Sequence, residues 1–381
     1  MIPITISGSI AQRAGYGGHA WVFLQYLLGF KQLGYKPLFI DHHPSGSVSD
    51  SLDPRSADAG MRGVRWLKDV MRFGGLEDSY SVLLDGRRQT AGLSRKAVLD
   101  HVRASPFLLN VMGFLKDQEV LGAAQRRVFL DIDPGFGQMW RELGFVDVFG
   151  GHDVFVTIAE NIGENGCSIP TCGLTWLKTR QPVVLDSWPV SSDGSGFTSV
   201  CAWRGPYDPV EYGGVKFGLR AHEFRRFAEL PRLTGKLFEV ALDIHPADAR
   251  DVRLLRENAW RLRSPASVAG GPGGYRAYIQ RSKAEVMIAK GMYVQTWSGW
   301  FSDRSVCYLA SGKPVLAQDT GFTRNYPIGE GLLSFSDMRE AVAGVEEICG
   351  NQKRHSISAR TLAEAYFDAR IVLERLLSEL A

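Results

Sequence analysis

The sequence predicts an α/β protein built from two doubly wound, Rossmann-like domains that face each other across a cleft. Three observations support this fold class: the chain length, a regular alternation of β-rich and helical segments, and a polar linker that interrupts the alternation once. With 381 residues, the chain is about twice as long as a common single domain. Apolar residues make up 45% and charged residues 22% of the chain, a balance that is typical of globular proteins.

Short apolar runs alternate with helix-length segments in the first half of the chain. Residues 2–10 predict a buried strand, because apolar and small residues fill the run without polar alternation. Residues 21–31 predict a helix, which Gly34 ends as a C-terminal cap. The other strand candidates of this half are residues 37–41, 81–85, 107–113, 127–133, 154–160 and 182–186. Strands separated by helix-length segments indicate parallel β-α-β units with helices on both faces.

A segment rich in Pro, Ser, Gly and Asp, residues 188–196, has no apolar face and predicts a linker. After it the alternation resumes, with strand candidates at residues 197–203, 238–244, 260–262, 284–288, 294–296 and 314–317. The last segment, residues 358–380, carries apolar residues at helical spacing. We therefore expect one domain over residues 1–190, a second over residues 197–352, and a closing helix over residues 357–381 that packs back on the first domain.

Charge and cysteine content limit the classes of partner. The formal net charge is only +3, too small to indicate nucleic acid or an anionic membrane as a partner. The N-terminus lacks a basic start with a long apolar region, and no run approaches the roughly 20 apolar residues that span a bilayer. The five cysteines are odd in number and scattered, as in a reducing compartment. We expect a cytoplasmic protein with no integral membrane segment.

The first candidate site is the glycine-rich loop before the first helix, residues 14–21. Ligands of open parallel sheets bind beyond the carboxyl ends of the strands, and glycines let backbone amides approach them closely. His19 lies at the helix start, where the dipole favours a neutral imidazole that can accept a proton from a hydroxyl. The alternative is a histidine that only fills the turn. Carboxylates that could orient the imidazole end other strands: Asp41, Asp85, Asp131 and Asp133, the last being our choice for the catalytic partner.

The second candidate site is the segment from Thr296 to Leu316. Its pattern predicts a strand end, a loop of glycine and aromatic residues, a short helix capped by Ser302 or Asp303, a stop at Gly312 and a further strand. Amides at a helix N-terminus, together with hydroxyl groups, are a suitable site for a diphosphate. The candidate diphosphate ligands here are Gly299, Ser302, Asp303, Arg304 and Ser305. An ordinary α/β turn is the alternative.

These two segments resemble the GT-B glycosyltransferases. The resemblance lies in residues 298–305, which run into Ala310-Ser-Gly-Lys-Pro-Val315, in the helix at residues 278–285, and in Gly17-Gly18-His19 before an apolar helix. It implies an N-terminal acceptor-side domain and a C-terminal domain that binds a nucleotide-sugar donor. It further implies that Asp319 and Thr320 contact the transferred sugar, and that Ser282 and His245 lie on the nucleobase side.

The sequence departs from the family pattern at two positions. Where retaining members commonly carry two glutamates, this chain has Gly299 and Cys307. Because His19 remains, we mildly favour an inverting displacement with His19 as base. Arg204 follows the first strand of the second domain and is our candidate for the donor β-phosphate, with Lys216 and Lys290 as weaker ones. No Asp-x-Asp motif or carboxylate cluster is placed to hold a metal ion, so we expect metal-independent transfer without a cofactor.

The sequence therefore predicts a hexosyltransferase that moves a sugar from a nucleotide-diphosphate donor to a small-molecule or saccharide acceptor. Two alternatives belong to other classes. The loop at Gly15–Gly18 with Asp41 weakly resembles a dinucleotide-binding motif, which would suit an NAD-dependent oxidoreductase or epimerase. A non-catalytic sugar- or nucleotide-binding protein would use the same cleft without chemistry. The oxidoreductase predicts nicotinamide binding, and the binding protein predicts ligand binding that survives loss of His19.

Overall fold

Two separate parallel β-sheets organise the chain in a computed structural model that describes residues 1–43, 54–84, 90–192 and 194–381. The strands of the first sheet are β1 (Pro3–Gly8), β2 (Lys36–His43), β3 (Tyr80–Leu84), β4 (Thr90–Gly92), β5 (Leu108–Val111), β6 (Arg127–Asp131), β7 (Val154–Thr157) and β8 (Trp176–Lys178). They lie in the order β4-β3-β2-β1-β5-β6-β7-β8. Only β4 runs antiparallel to its neighbour among these described strands.

The strands of the second half are β9 (Phe197–Ala202), β10 (Val210–Tyr212), β11 (Val215–Phe217), β12 (Phe238–Asp243), β13 (Trp260–Arg263), β14 (Ala284–Met287), β15 (Val315–Gln318) and β16 (Leu332–Phe335). Six of them form a parallel sheet in the order β13-β12-β9-β14-β15-β16. β10 and β11 form a separate antiparallel hairpin. The domain limits that we expect from the sequence remain predictions, although each half of the chain contains its own sheet.

Helices cover the sheets. They are α1 (Gly17–Gln32), α2 (Pro54–Phe73), α3 (Arg95–Ala104), α4 (Gln118–Ala123), α5 (Phe136–Glu142), α6 (Arg220–Arg226), α7 (Leu230–Thr234), α8 (Ala249–Glu257), α9 (Pro265–Val268), α10 (Pro272–Gln280), α11 (Gly291–Gln295), α12 (Asp303–Ala310), α13 (Met338–Gly350), α14 (Gln352–Tyr366) and α15 (Ala369–Leu380). α1 is apolar around most of its circumference because α10 and α15 both pack on it. A Cβ atom on its Gly29 would lie 2.6 Å from a methyl group of Leu373 in α15.

The structure corrects three expected elements. Residues 182–186 do not form a strand: Val183 makes an isolated bridge with Asp368, and a 3-10 helix, Leu185–Ser187, follows. The residues expected as a strand at 294–296 instead end helix α11 and follow it, because Thr296 donates back to the Met292 carbonyl. The closing segment consists of two helices, α14 and α15, with a break between them. Asp85 and residues 45–53 lie outside the described residues.

Each sheet reverses its strand order beside its first strand. β1 lies between β2 and β5, and β9 lies between β12 and β14, so each sheet has a topological switch point where ligands of such sheets bind. The residues that follow these strands meet across the cleft. The Tyr16 hydroxyl donates to Asp243 over 3.2 Å, and Lys290 donates to Asp133 over 2.6 Å. The carboxyl edges of the two sheets therefore face each other.

Candidate functional site

A buried arginine occupies the switch point of the second sheet. Arg220, the first residue of α6, donates from Nε to the Ile288 carbonyl over 3.0 Å and from Nη1 to the Ala202 carbonyl over 3.2 Å. These carbonyls belong to the ends of β14 and β9, the two strands that flank the switch point. Among the described residues, no carboxylate lies within ion-pair distance of Arg220. Its buried charge is therefore held by neutral groups and is available to an anion.

A lysine and an aspartate bridge the cleft beside Arg220. The Lys290 ammonium lies 2.8 and 2.6 Å from the two carboxylate oxygens of Asp133, which also accepts a hydrogen bond from the Tyr293 hydroxyl. The rings of Phe136, Tyr207 and Tyr293 surround the ammonium at 5.2 to 5.9 Å. Burial lowers the pKa of Lys290, and the negative charge of Asp133 opposes that shift. Asp133 is thus placed against Lys290 rather than against the His19 ring.

His19 lies beyond the carboxyl end of β1 and contacts Ser9. Its Nε2 is 3.0 Å from the Ser9 hydroxyl and 3.2 Å from the Ser9 carbonyl. Because a carbonyl oxygen can only accept, we assign the proton to Nε2, which leaves a lone pair on Nδ1. No described residue forms a hydrogen bond with that Nδ1 atom. Burial lowers the pKa of His19 to about 3, with a smaller contribution from the charge of Arg13, so the imidazole is neutral at pH 7.

Arg13 completes a group of three cations in the cleft. It ends a 3-10 helix, Ala11–Arg13, in the glycine-rich loop that follows β1. Its charge adds to the effect of burial in lowering the pKa of His19 and Lys290, and it opposes the rise that burial causes in the pKa of Tyr207. It forms no ion pair with the described residues. Arg13 from the first sheet and Arg220 from the second therefore add two guanidinium charges, without ion-pair partners among the described residues, near the Lys290–Asp133 pair.

The glycines of the same loop serve close packing. The Gly17 amide donates to the Ala269 carbonyl over 3.1 Å, and a Cβ atom at Gly17 would lie 2.3 Å from the Gly271 carbonyl oxygen. A Cβ atom at Gly18 would lie 2.7 Å from the ring of Tyr275. Any side chain at these two positions would push the start of α1 away from α10. The glycines thus bring His19 and Arg13 close to the second sheet.

The helix that we expected to bind the diphosphate, α12, is packed between the second sheet and α14. Ser302 caps it, with Oγ accepting from the Arg304 amide over 3.2 Å, while Ser302 and Ser305 are both buried. The Arg304 guanidinium turns towards the sheet, where it pairs with the buried carboxylate of Glu285 and donates to the Val200 carbonyl. Burial raises the pKa of Asp303, which lines a small closed space against α1. The charge of Arg220 lies close enough to Asp303 to oppose that rise in pKa, whereas Arg304 is paired with Glu285.

The loop before that helix and the loop after β15 both meet Asn161. A Cβ atom on Gly299 would lie 2.8 Å from Cγ of Asn161, and the Asn161 amide group donates to the carbonyls of Trp297 and Gly321. Asp319 accepts from the Gly321 amide and the Thr323 hydroxyl, which fixes its own turn. The Thr320 hydroxyl donates to the Trp300 carbonyl. Gly299, Asp319 and Thr320 therefore lie at one closed side of the cleft.

The side chains of three further candidates are bonded to other groups. Arg204 is exposed and pairs with Asp248. His245 is exposed, and its Nδ1 accepts from the Ala247 amide over 3.1 Å, capping a 3-10 helix. Ser282 is fully buried before the amino end of β14, bonded to the Thr198 hydroxyl and the Tyr278 carbonyl. Ser282 thus lies at the opposite end of β14 from Lys290.

Sequence reasoning missed two of the three cleft cations. The position of Arg13 next to the glycine loop was a usable indication, whereas nothing in the local sequence distinguishes Arg220 from other arginines. Lys290 was a secondary candidate. Within the described ranges, no group of three His, Cys, Asp or Glu side chains is arranged to hold a metal ion. No helix in those ranges is long and apolar enough to span a membrane.

Solved structures with the same architecture include an α-glucosyltransferase in complex with UDP and DNA, at 10% identity and a TM-score of 0.59, covering 99% of this chain and 98% of that chain. HepE from Anabaena, in complex with UDP and glucose, matches at 10% identity and a TM-score of 0.57, covering 100% and 99%. Sucrose-phosphate synthase from Thermosynechococcus elongatus matches at 10% identity and a TM-score of 0.54, again covering 100% and 99%.

In sequence, no family model matches the chain, and no curated protein is significantly similar to it. The likeness to solved structures extends over both sheets and nearly the whole length of each chain. At this level of identity it shows the fold. The chain has the GT-B fold, as the sequence predicts.

Proposed function

We propose that this protein transfers a glycosyl group, a hexose by preference, from a nucleoside-diphosphate donor to an acceptor hydroxyl in the cleft. The observation that carries the proposal is Arg220, a buried guanidinium without a carboxylate partner at the switch point of the second sheet. Lys290 and Arg13 add two positive charges beside it. A diphosphate supplies the negative charge that this group lacks, and guanidinium groups bind phosphate oxygens with charge-assisted hydrogen bonds.

The same cations are suited to the departure of the nucleotide. When the bond to the anomeric carbon breaks, negative charge develops on the β-phosphate, and fixed positive groups in a water-poor cleft stabilise it. We therefore propose that transfer proceeds without a metal ion. The neighbours solved with UDP make a uridine donor the first candidate for this chain.

We propose that His19 accepts a hydrogen bond from a substrate hydroxyl through Nδ1. The low pKa of about 3 makes it an inefficient general base at pH 7, because efficient bases have pKa values near the working pH. Asp133, expected to support the imidazolium, is committed to Lys290. These two facts weaken the inverting mechanism with His19 as base. The configuration of the product, read by NMR from the anomeric coupling, decides between inversion and retention.

Calorimetric titration with UDP, TDP, GDP, ADP and NAD tests the proposal. We expect one nucleoside diphosphate to bind in the presence of EDTA. Arg220→Gln should weaken that binding about 100-fold, since a charge-assisted hydrogen bond in a buried site contributes about 3 kcal/mol. Arg204→Gln is the matched control, because Arg204 is exposed and already paired with Asp248, and its effect should stay below about threefold.

Each other result assigns a different function. If the protein binds only NAD, and with the same affinity in Arg220→Gln, the oxidoreductase hypothesis is supported and the transferase proposal is refuted. Equal losses of nucleotide affinity in Arg220→Gln and Arg204→Gln would show that Arg220 does not bind the nucleotide. Nucleotide-sugar binding without sugar release to water or to any acceptor would favour the non-catalytic binding protein.

A further inference from the structure

An open cavity of about 440 Å³ lies in the cleft near Lys290. Trp140 and Phe145 line it from the first half of the chain, and Tyr207, Asp208 and Glu211 line it from the second half. Its volume is that of a small-molecule site. Tyr207 links the cavity to the cations, because the Lys290 ammonium lies 5.9 Å from the centre of its ring.

Aromatic side chains form one part of the cavity. The rings of Trp140 and Tyr207 meet edge to face at 4.9 Å, which fixes both against each other. Phe145 is 72% exposed and stands at the rim with no comparable support. Exposure of a phenyl ring is unfavourable in water, so a ligand that covers Phe145 would gain from burying it. Flat rings of this kind suit the apolar face of a sugar ring.

The polar groups of the cavity restrict the ligand further. Asp208 and Glu211 are exposed and form no ion pair with the described residues. Ionised carboxylates only accept hydrogen bonds, so the ligand must supply donors. Lys290 and Arg13 behind the cavity repel a cationic ligand, and the two carboxylates repel an anionic one. A neutral molecule rich in hydroxyl groups meets all of these conditions.

We propose that this cavity binds the acceptor, and that the acceptor is a neutral saccharide whose ring stacks on Trp140 and Phe145 while its hydroxyls donate to Asp208 and Glu211. The proposal rests on the proposed transferase function, since it places the acceptor beside the diphosphate site.

Saturation-transfer NMR tests the proposal on the full chain with the nucleoside diphosphate bound. The probes are the methyl glycosides of glucose, galactose, mannose, N-acetylglucosamine, xylose and rhamnose, with cellobiose and maltose. We expect at least one to bind with a millimolar dissociation constant. Trp140→Ala and Phe145→Ala should each weaken it about tenfold, and Asp208→Asn about fivefold. Because Phe145 is exposed, its variant tests the cavity without disturbing the core.

Ile357→Ala and Glu257→Gln are the matched controls, since both residues are exposed on helices that do not line the cavity; they should leave binding unchanged. Failure of every glycoside to bind, or binding that Trp140→Ala and Phe145→Ala leave unaltered, would overturn the proposal. Tetramethylammonium and a short DNA duplex are included as probes, and their binding in place of a glycoside would also overturn it. Nucleotide affinity of the wild-type protein is measured in the same samples. If the wild-type protein binds a glycoside but no nucleoside diphosphate, the transferase is refuted and the saccharide site is not.

Discussion

The carboxyl edges of the two sheets differ in the kind of charge that they bury. Besides Arg13 and Asp133, the first edge carries two buried acids and a histidine, Asp41, Asp131 and His19. Burial raises the pKa of each carboxyl group to about 7 and lowers the pKa of His19 to about 3. Burial thus drives all three groups towards their neutral forms. The second edge carries Arg220 and Lys290, and a guanidinium keeps its charge in a protein interior.

Local hydrogen bonds explain the difference. Asp41 accepts from the Ala11 amide over 2.6 Å, and Asp131 accepts from Gln138 over 2.6 Å and from Thr157 over 3.1 Å. These carboxyls organise the loops after β1 and β6 and need no ligand. Arg220, by contrast, is held by two carbonyls and has no carboxylate within ion-pair distance among the described residues. The comparison suggests that Arg220 and Lys290 of the second edge, with Arg13, hold the anionic part of the substrate, while His19 of the first edge contacts neutral hydroxyls.

The largest expected effect distinguishes binding of the diphosphate from contact with the substrate hydroxyl. His19→Ala should lower the rate of glycosyl transfer about 100-fold while nucleotide affinity changes less than about threefold, because His19 contacts a hydroxyl and not the diphosphate. Stopped assays of transfer and calorimetry of nucleotide binding measure the two quantities. His101→Ala is the matched control: its Nε2 lies 3.2 Å from the Ile4 carbonyl, like that of His19 from Ser9.

The pH dependence of glycosyl transfer tests whether His19 acts as a general base. With a pKa of about 3, His19 stays neutral from pH 5 to 8, and the wild-type rate should show no acid limb near pH 6.5. An acid limb that disappears in His19→Ala would mean that the imidazole titrates in the complex. In that case the general-base mechanism would be restored.

The ion pair that joins the two edges gives the next largest effect. Asp133→Asn leaves the Lys290 ammonium without its counter-charge, beside Arg220 and Arg13, and should destabilise the fold by about 2 kcal/mol. The same change should tighten nucleoside diphosphate binding about tenfold, because phosphate no longer competes with the carboxylate for Lys290. Urea unfolding and calorimetry provide the two values. Lys290→Gln is the counterpart variant and should weaken nucleotide binding; weaker binding in Asp133→Asn would instead place Asp133 among the ligand contacts.

The fold could be predicted from the sequence because it depends on periodic patterns. Alternating apolar strands and helix-length segments are local properties, and they determined both parallel sheets. The wrong strand predictions, at residues 182–186 and 294–296, fall on short segments. In such segments apolar content alone does not distinguish a strand from a turn or a helix. The glycine loop was also recognisable, although its glycines serve the contact with α10 rather than a ligand.

The candidate site was less predictable because its chemistry depends on distant contacts. The hydrogen-bond acceptors of Arg220 are carbonyls 18 and 68 residues away, and no local pattern reveals that they converge. Ser302, Arg304 and Ser305 form a local motif typical of an anion site, yet the second sheet and α14 pack on that helix and bury its residues from Arg304 to Ala310. Arg204 follows a strand as an anion ligand would, but Asp248 lies close enough to pair with it.

The smallest expected effect concerns the stability of the first edge. The pKa of Asp41 is about 7 in the folded chain, well above its ordinary value of 3.8, because burial disfavours the carboxylate. The stability that its proton confers is therefore complete below about pH 4 and is lost as the pH rises towards 7. Asp41→Asn should remove this loss, so that relative to wild type the variant gains on the order of 1 kcal/mol between pH 5 and 8. Urea unfolding at several pH values measures the change.

The control for this experiment is an aspartate shifted in the opposite direction. Hydrogen bonding to Arg127 lowers the pKa of Asp153, so Asp153 is ionised in both the folded and the unfolded chain between pH 5 and 8. Asp153→Asn should therefore change stability by the same amount at each pH in that range. If Asp41→Asn also changes stability by the same amount at each pH, Asp41 is already ionised at pH 5. The first edge would then carry fixed negative charge, and the contrast between a neutral edge and a cationic edge would fail at this residue.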